Sequence, residues 1–212
     1  MGGTFGCVGE PLMPMPEQDF LPLLAKIIPP HLQVECFAAP SIKDSSACTA
    51  TDWLKLVQQI QQLQLNSFQH FVIIHGTDTL SYAAATLARF LGHSCHAIIT
   101  GSQYPLLNVE GNDTREFTDA TGNLYLALEQ VLSLPTGVYL AFHEQVFHAQ
   151  TTLKAHTTEL DAFVGVKADQ SCQTTADSLV VQNEYIQQAA ELSILNLMLQ
   201  PIAKEQLILQ LK

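Results

Sequence analysis

Three short apolar runs constrain the fold more than any other feature: residues 71–75 (FVIIH), His96–Thr100 (HAIIT) and Gly137–Phe142 (GVYLAF). They carry little polar alternation, the mark of a strand covered on both faces, since a half-exposed strand places a polar residue at every second position. Residues 81–91 and 117–132 read as the helices between them. Residues 33–39 (QVECFAA) read as an earlier strand. Thr49, with Asp52 three positions on, then caps a helix that carries Trp53, Leu54, Leu56, Val57, Ile60 and Leu63 on one side. Strands and helices in this alternation predict an α/β fold, a three-layer α/β/α arrangement around a mostly parallel sheet.

At 212 residues the chain is long enough for one core with a small appendage. Its 20 acidic residues outnumber 9 basic ones, and Arg89 and Arg115 are the only arginines. Nucleic acid is therefore excluded as a main partner, because phosphates call for clustered cations. No run approaches the roughly 20 apolar residues of a membrane span. The N-terminus shows no charged region followed by an apolar block, so no signal peptide is expected. Cys7, Cys36, Cys48, Cys95 and Cys172 are odd in number and form no C-x-x-C pair, which predicts buried thiols in a reducing cytoplasm. His93-x-x-His96 has no third ligand at a suitable spacing, so neither metal nor cofactor is expected. His143, His148 and His156 read as loop or surface residues, and Met13 and Met15 as part of a packed surface loop.

In a parallel sheet, ligands sit beyond the carboxyl ends of the strands. The residues there are Asp44-Ser45-Ser46, Gly76-Thr77-Asp78-Thr79 and Gly101-Ser102-Gln103. A threonine hydroxyl such as that of Thr77 needs a base before it can act as a nucleophile. Lys154, in the polar segment Thr151-Thr152-Leu153-Lys154, is the candidate, because a desolvated lysine can take a hydroxyl proton. Asp78 could hold that ammonium or bind the amino group of a small cationic substrate. The same Gly-Thr-Asp-Thr also reads as a plain helix cap. Gly2-Gly3-Thr4-x-Gly6 reads either as a nest for an oxyanion or as an ordinary turn; a nucleotide site would call for a phosphate lysine that does not follow. Asp119 and Asn123, four apart on a helix, suggest a local hydrogen bond. Residues 104–116 form a long loop beside the strand ends, either a lid or an exposed excursion.

Together these segments resemble the asparaginase/glutaminase family of two-domain amidohydrolases, in its bacterial cytoplasmic form. The motifs are collinear: Gly2-Gly3-Thr4; Asp44-Ser45-Ser46 with Asp52-Trp53; His75-Gly76-Thr77-Asp78-Thr79; Thr100-Gly101-Ser102-Gln103; Asp119 with Asn123-Leu124; Thr151 to Lys154 with Asp161-Ala162-Phe163. The resemblance implies Thr4 as a nucleophile on a mobile loop and Thr77, with Lys154 as base, as the second catalytic threonine. It implies Ser45 and Ser46 on the substrate α-carboxylate, Asp78 on the α-ammonium, and backbone N–H groups near Thr77 and Ser102 on the oxyanion. The implied reaction is hydrolysis of L-asparagine to L-aspartate and ammonia, with L-glutamine one methylene away as a substrate. A homo-oligomer is implied as well, because sites of this family are completed across subunits.

Departures from the family pattern are visible too. Leu12 stands where the family's loop carries a tyrosine, and His148 and Thr151 replace basic residues ahead of the lysine. The glycine turn at Gly2 normally follows a strand. Residues 192–199 (LSILNLML) and 202–211 read as a further strand and helix. The expected organisation is thus a catalytic domain over 1–190 and the start of a shortened second domain over 191–212. The alternative reading is an inactive homologue or fragment that binds a small amino acid or a partner chain. A nucleotide-binding regulator ranks behind both.

Overall fold

The computed structural model describes residues 3–192. From the N-terminus, a small antiparallel hairpin of β1 (Cys7–Val8) and β2 (Met13–Pro14) leads into α1 (Glu17–Ile27). Then come α2 (Ala50–Leu65), β3 (His70–Ile74), α3 (Leu80–Leu91), β4 (His96–Thr100), α4 (Ala120–Ser133) and β5 (Gly137–Phe142). The remaining elements are β6 (Gln145–His148), the hairpin strands β7 (Leu153–Lys154) and β8 (Phe163–Val164), and α5 (Asn183–Glu191).

The central sheet has the order β3-β4-β5-β6. β3, β4 and β5 run parallel, with His70 opposite His96 and His96 opposite Gly137, while β6 returns antiparallel to β5. Helices α2 and α3 cover one face, packing Leu54, Val57, Ile60, Ala84 and Leu87 onto Phe71, Ile73, Ile99 and Leu140. On the other face α4 places Leu124 and Leu128 beside Leu24 of α1, and Ala127 and Val131 against Ile98 and Tyr139. This is the expected three-layer α/β architecture. Helix α5 lies against α2, where Gln58 donates to Asn183 Oδ1 at 3.1 Å and Gln61 to the Leu179 carbonyl at 2.7 Å.

Residues 33–39 are not a strand. They run beside β3 across an apolar groove of about 410 Å³, walled by α1, α2, α4 and β3 itself. A ladder needs a neighbouring backbone within hydrogen-bonding distance, and the groove holds this segment away from the sheet. A side-chain bond from Gln59 to the Ala38 carbonyl, 2.9 Å, ties it to α2 instead. The same groove corrects the reading of 71–75 as covered on both faces. β3 ends at Ile74 and is the outermost strand of the sheet among the described residues, and Val72 and Ile74 are only half-buried.

Other local expectations shift for identifiable reasons. The helix expected from 117 starts at Ala120, because the Thr118 hydroxyl accepts the Ala120 N–H at 3.0 Å and ends the loop there. Phe117 is left exposed, edge-on to the Tyr104 ring at 5.2 Å. His148 is buried at the end of β6, with Nε2 3.0 Å from the Gln170 carbonyl, so it is neither a loop nor a surface residue. The loop over 104–116 is anchored at its start by Leu106 and Leu107, which are buried with Phe5, while its tip is exposed. Met13 is exposed in β2, and Met15 packs onto the Phe5 cluster.

His93 pairs with the Thr174 hydroxyl and His96 with the Leu134 carbonyl. All five cysteines are free thiols, but only Cys95 is buried as expected; Cys7, Cys36, Cys48 and Cys172 lie at the margins of the packed layers and are half-buried. Among the described residues, no helix is long and apolar enough to cross a membrane. The strand expected at 192–199 and the helix at 202–211 fall outside the described residues, apart from Leu192.

Candidate active site

Beyond the carboxyl end of β3 the chain turns sharply. The His75 N–H donates to the Thr100 carbonyl of β4 at 2.8 Å, Gly76 follows, and Thr77–Thr79 form a single 3-10 turn that runs into α3. That turn aims Thr77 and Asp78 outward from the strand end. It is braced from the neighbouring loop, because the Thr79 hydroxyl donates to the Ser45 carbonyl at 2.8 Å.

Glycine is required where the loops meet. A Cβ on Gly76 would lie 2.4 Å from Ser45 Oγ, and one on Gly3 would lie 2.3 Å from Gly76 Cα. Gly3 also has φ +130°, a conformation that side chains disfavour. Backbone contact of this kind brings the Gly3–Thr4 turn and the Asp44–Ser46 turn against the Thr77 turn.

Lys154 arrives from the far end of the chain. It pairs with Phe163 in the β7–β8 hairpin, and the buried Phe163 ring packs on Phe142 at the end of β5, 4.8 Å between centroids. This apolar anchor sets the hairpin over the sheet. Lys154 Nζ then donates to Thr77 Oγ1 at 2.9 Å and to Asp78 Oδ1 at 2.9 Å. The lysine side chain is 16% exposed and that of Asp78 56%, so the cation is sheltered while the carboxylate faces solvent.

The other expected residues fall into two groups. Ser45 is buried against Gly76, and Thr4 opens a short turn directly after Gly3. Ser46 and Ser102 turn their hydroxyls elsewhere, to Asp44 Oδ1 at 2.8 Å and to the Tyr104 carbonyl at 2.5 Å. Asp44 accepts both the N–H and the hydroxyl of Ser46, which holds its carboxyl below the usual carboxylate range.

Two buried titratable groups support this end of the sheet. His75 is fully buried; its Nδ1 lies 2.8 Å from the Gly76 carbonyl, and Nε2 has no partner among the described residues. Burial pushes its pKa down to about 4. Burial also pushes Asp52 up, but hydrogen bonds from Lys43 (2.7 Å) and from the Thr49 N–H and hydroxyl (2.8 Å each) outweigh it, leaving a pKa of about 2.

The reach of the Asp119–Asn123 pair is not visible from its spacing. Asn123 Nδ2 donates to Asp119 Oδ2 at 3.1 Å, the expected local bond. The same amide also donates to the Gly101 carbonyl at 3.0 Å, and its Oδ1 accepts the His143 N–H at 2.9 Å. Asp119 accepts the N–H groups of Gln103 and Tyr104 at 2.9 Å. The pair therefore shapes the loop after β4 and joins it to the turn after β5. Among the described residues, no three His, Cys, Asp or Glu side chains gather as metal ligands would.

A sheltered amine bonded to a threonine hydroxyl, with an acid beside them at parallel strand ends, is an arrangement suited to acyl transfer. Comparison with known proteins leads to the same place. Residues 1–187 match the family model described as asparaginase, N-terminal. The chain is 30% identical over 180 residues to L-asparaginase 1 of Escherichia coli K12, covering 76% of this chain and 48% of that protein. It is 31% identical over 147 residues to the 60 kDa lysophospholipase of Mus musculus, covering 69% of this chain and 25% of that protein.

Among solved structures, L-asparaginase I of Vibrio cholerae matches with a TM-score of 0.64 at 25% identity, over 84% of this chain and 58% of that one. The thermostable L-asparaginase of Thermococcus kodakarensis matches with a TM-score of 0.58 at 23% identity, over 86% and 56%, a likeness of fold. The chain spans about half the length of the E. coli protein it matches. On the family match, the relatives and the fold together, the chain belongs to the asparaginase family, and residues 1–187 correspond to that family's N-terminal part.

Proposed function

We propose that this chain carries the catalytic machinery of an amidohydrolase acting on the side-chain amide of L-asparagine, with L-glutamine as the longer alternative substrate. The observation that carries the reading is the contact of Lys154 Nζ with Thr77 Oγ1 and Asp78 Oδ1, each at 2.9 Å.

In this reading Asp78 takes the substrate α-ammonium on its solvent-facing side, and Ser45, with Ser46 beside it, receives the α-carboxylate. The amide carbon then lies between the Thr4 and Thr77 turns. Lys154 enters the step as the neutral amine: Thr4 Oγ bonds to that carbon as its proton passes by way of Thr77 Oγ1 to the Nζ lone pair, and the carbonyl electrons move onto oxygen. Backbone N–H groups near Thr77 and Ser102 receive the oxyanion. The ammonium formed on Lys154 returns that proton to the amide nitrogen, the oxyanion electrons re-form the carbonyl, and the C–N bond breaks to release ammonia and leave the ester on Thr4. Water then attacks the threonine ester, releasing L-aspartate and restoring the hydroxyl. The active form is a homo-oligomer that works in the cytoplasm on a small-molecule substrate, without nucleic acid or membrane, and the five free thiols suit a reducing compartment.

The test is ammonia release from L-asparagine by the purified chain, with Thr77→Ala as the blank. Release well above the blank supports the reading. No release from a folded chain favours the second reading, an inactive homologue that retains amino-acid binding. Leu12, an exposed side chain without a hydroxyl, is the observation behind that alternative.

A further inference from the structure

The hairpin that delivers Lys154 is anchored at its base by Phe163, while residues 155–159 of its tip are exposed and Leu160 is half-buried. Within the hairpin, the N–H groups of Ala155 and His156 both donate to the Ala162 carbonyl, at 2.8 and 3.2 Å. These bonds close the loop without fixing it to the sheet. Gln145 of β6 ties the returning arm to the sheet, its Nε2 donating to Asp161 Oδ1 at 3.3 Å, and the tip itself is held by Gln103, in the loop after β4, whose Nε2 donates to the Thr157 carbonyl at 3.1 Å and to the Glu159 carbonyl at 2.8 Å. Gln103 is itself held, since its N–H donates to both oxygens of Asp119, at 3.1 and 2.9 Å, and Asp119 is held by Asn123. A continuous chain of bonds thus runs from Asn123 in α4 through Asp119 and Gln103 to the tip of the Lys154 hairpin.

We infer that Gln103 is a positioning residue for Lys154: its carboxamide pins the tip of the hairpin so that Nζ stays in register with Thr77 and Asp78. The inference rests on the proposed reading of Lys154 as the base. The chemistry of the contact selects the residue type. Two carbonyl oxygens must be satisfied by one side chain, and a primary amide offers two N–H donors on one nitrogen. A carboxylate of the same size offers none and would repel both oxygens. A guanidinium offers donors in a fork and would serve in its place. Gln103 is half-buried, so its loss frees the hairpin without opening a closed cavity.

The first experiment needs no activity. Lys154 in the full chain is acylated by a water-soluble amine reagent and quantified by peptide mass spectrometry, with Lys43, Lys55 and Lys167 as internal references. Hydrogen exchange of amides 155–160 is measured in parallel. Gln103→Ala and Gln103→Glu should raise Lys154 labelling by about tenfold, the factor that one net hydrogen bond represents, with the reference lysines and the melting temperature unchanged. Gln103→Arg should return labelling to the wild-type rate. If labelling of Lys154 and exchange at 155–160 stay at wild-type values in both Gln103→Ala and Gln103→Glu, the inference is overturned. Should Gln103→Ala fold poorly, the isosteric Gln103→Glu decides the matter.

The second experiment uses ammonia release. Gln103→Ala should lower kcat about tenfold with KM within about twofold, because the substrate anchors Ser45 and Asp78 are untouched, and Gln103→Arg should restore kcat. A rise in KM with kcat intact overturns the inference. A wild-type chain that releases no ammonia defeats the proposed function alone, and the labelling result still decides the role of Gln103.

Discussion

Lys154 Nζ and Thr77 Oγ1 stand 2.9 Å apart although 77 residues separate them along the chain. The two reach one another because a strand-end turn aims the hydroxyl outward while the Phe163–Phe142 contact seats the lysine hairpin above it. General-base assistance of this kind contributes about 10²- to 10⁴-fold to a rate. Lys154→Met should therefore lower ammonia release from L-asparagine by that order, with thermal stability nearly unchanged. Release at the wild-type rate would remove Lys154 from the mechanism.

Gly76 has an ordinary backbone conformation, so what it cannot tolerate is a side chain. In Gly76→Ala the new methyl would sit 2.4 Å from Ser45 Oγ and 3.0 Å from Gly3 Cα, in a place where backbone must yield. Overpacking of this type costs about 1–3 kcal/mol. We expect a lower melting temperature together with loss of activity, since the Ser45 and Gly3–Thr4 turns are pushed from the Thr77 turn. Calorimetry and the ammonia assay on the same preparation check both.

Asn123 uses its whole side-chain amide to join three backbone segments from a buried position. Asn123→Leu keeps the volume and removes every bond, leaving the Gly101 carbonyl and the His143 N–H unsatisfied. A cost of about 1–3 kcal/mol per stranded group follows. Urea denaturation should show a midpoint shift larger than that of Asn108→Ala, whose amide is exposed on the 104–116 loop.

Acid should destabilise this fold in two stages. His75 is held neutral by burial, with a pKa near 4 against 6.5 unfolded, so its contribution is full above pH 6.5 and lost as the pH falls from 6.5 towards 4. The size is about 3 kcal/mol. Asp52 is held ionised, with a pKa near 2 against 3.8 unfolded, so its contribution, reduced by solvent around the exposed Lys43, is present above pH 3.8 and lost between 3.8 and 2. Melting temperatures measured from pH 7 to pH 2 should fall in wild type. In Asp52→Asn the lower stage should be absent while the upper one remains.

Much of the site was legible because its parts are local. Thr77 and Asp78 follow an apolar run, Ser45 lies in a short acidic-hydroxylic turn, and the Thr49–Asp52 spacing marks the start of α2. Lys154 was legible as a base only by its chemistry, and Ser46 and Ser102 show the limit of that approach. Their position beside the site is right, yet their hydroxyls bond to Asp44 and the Tyr104 carbonyl. Residue type says that a hydroxyl can donate, not which acceptor lies nearest. The Asn123–Asp119–Gln103 chain was hidden for the same reason, since its partners lie on segments distant in sequence.

What the sequence by itself determined is what depends on periodicity and on neighbours a few residues away: the alternation of strands and helices, the parallel sheet it implies, and the turns that load its carboxyl edge with hydroxyls and acids. The tertiary structure decided everything that depends on what stands alongside. It left an apolar groove between β3 and residues 33–39 and kept that segment from becoming a strand, because ladder bonds require a partner backbone that no local pattern supplies. It buried His148, left Phe117 in solvent, and set Lys154 on Thr77. Burial and hydrogen bonding are properties of assembled surfaces, and a chain acquires them only when distant segments have packed.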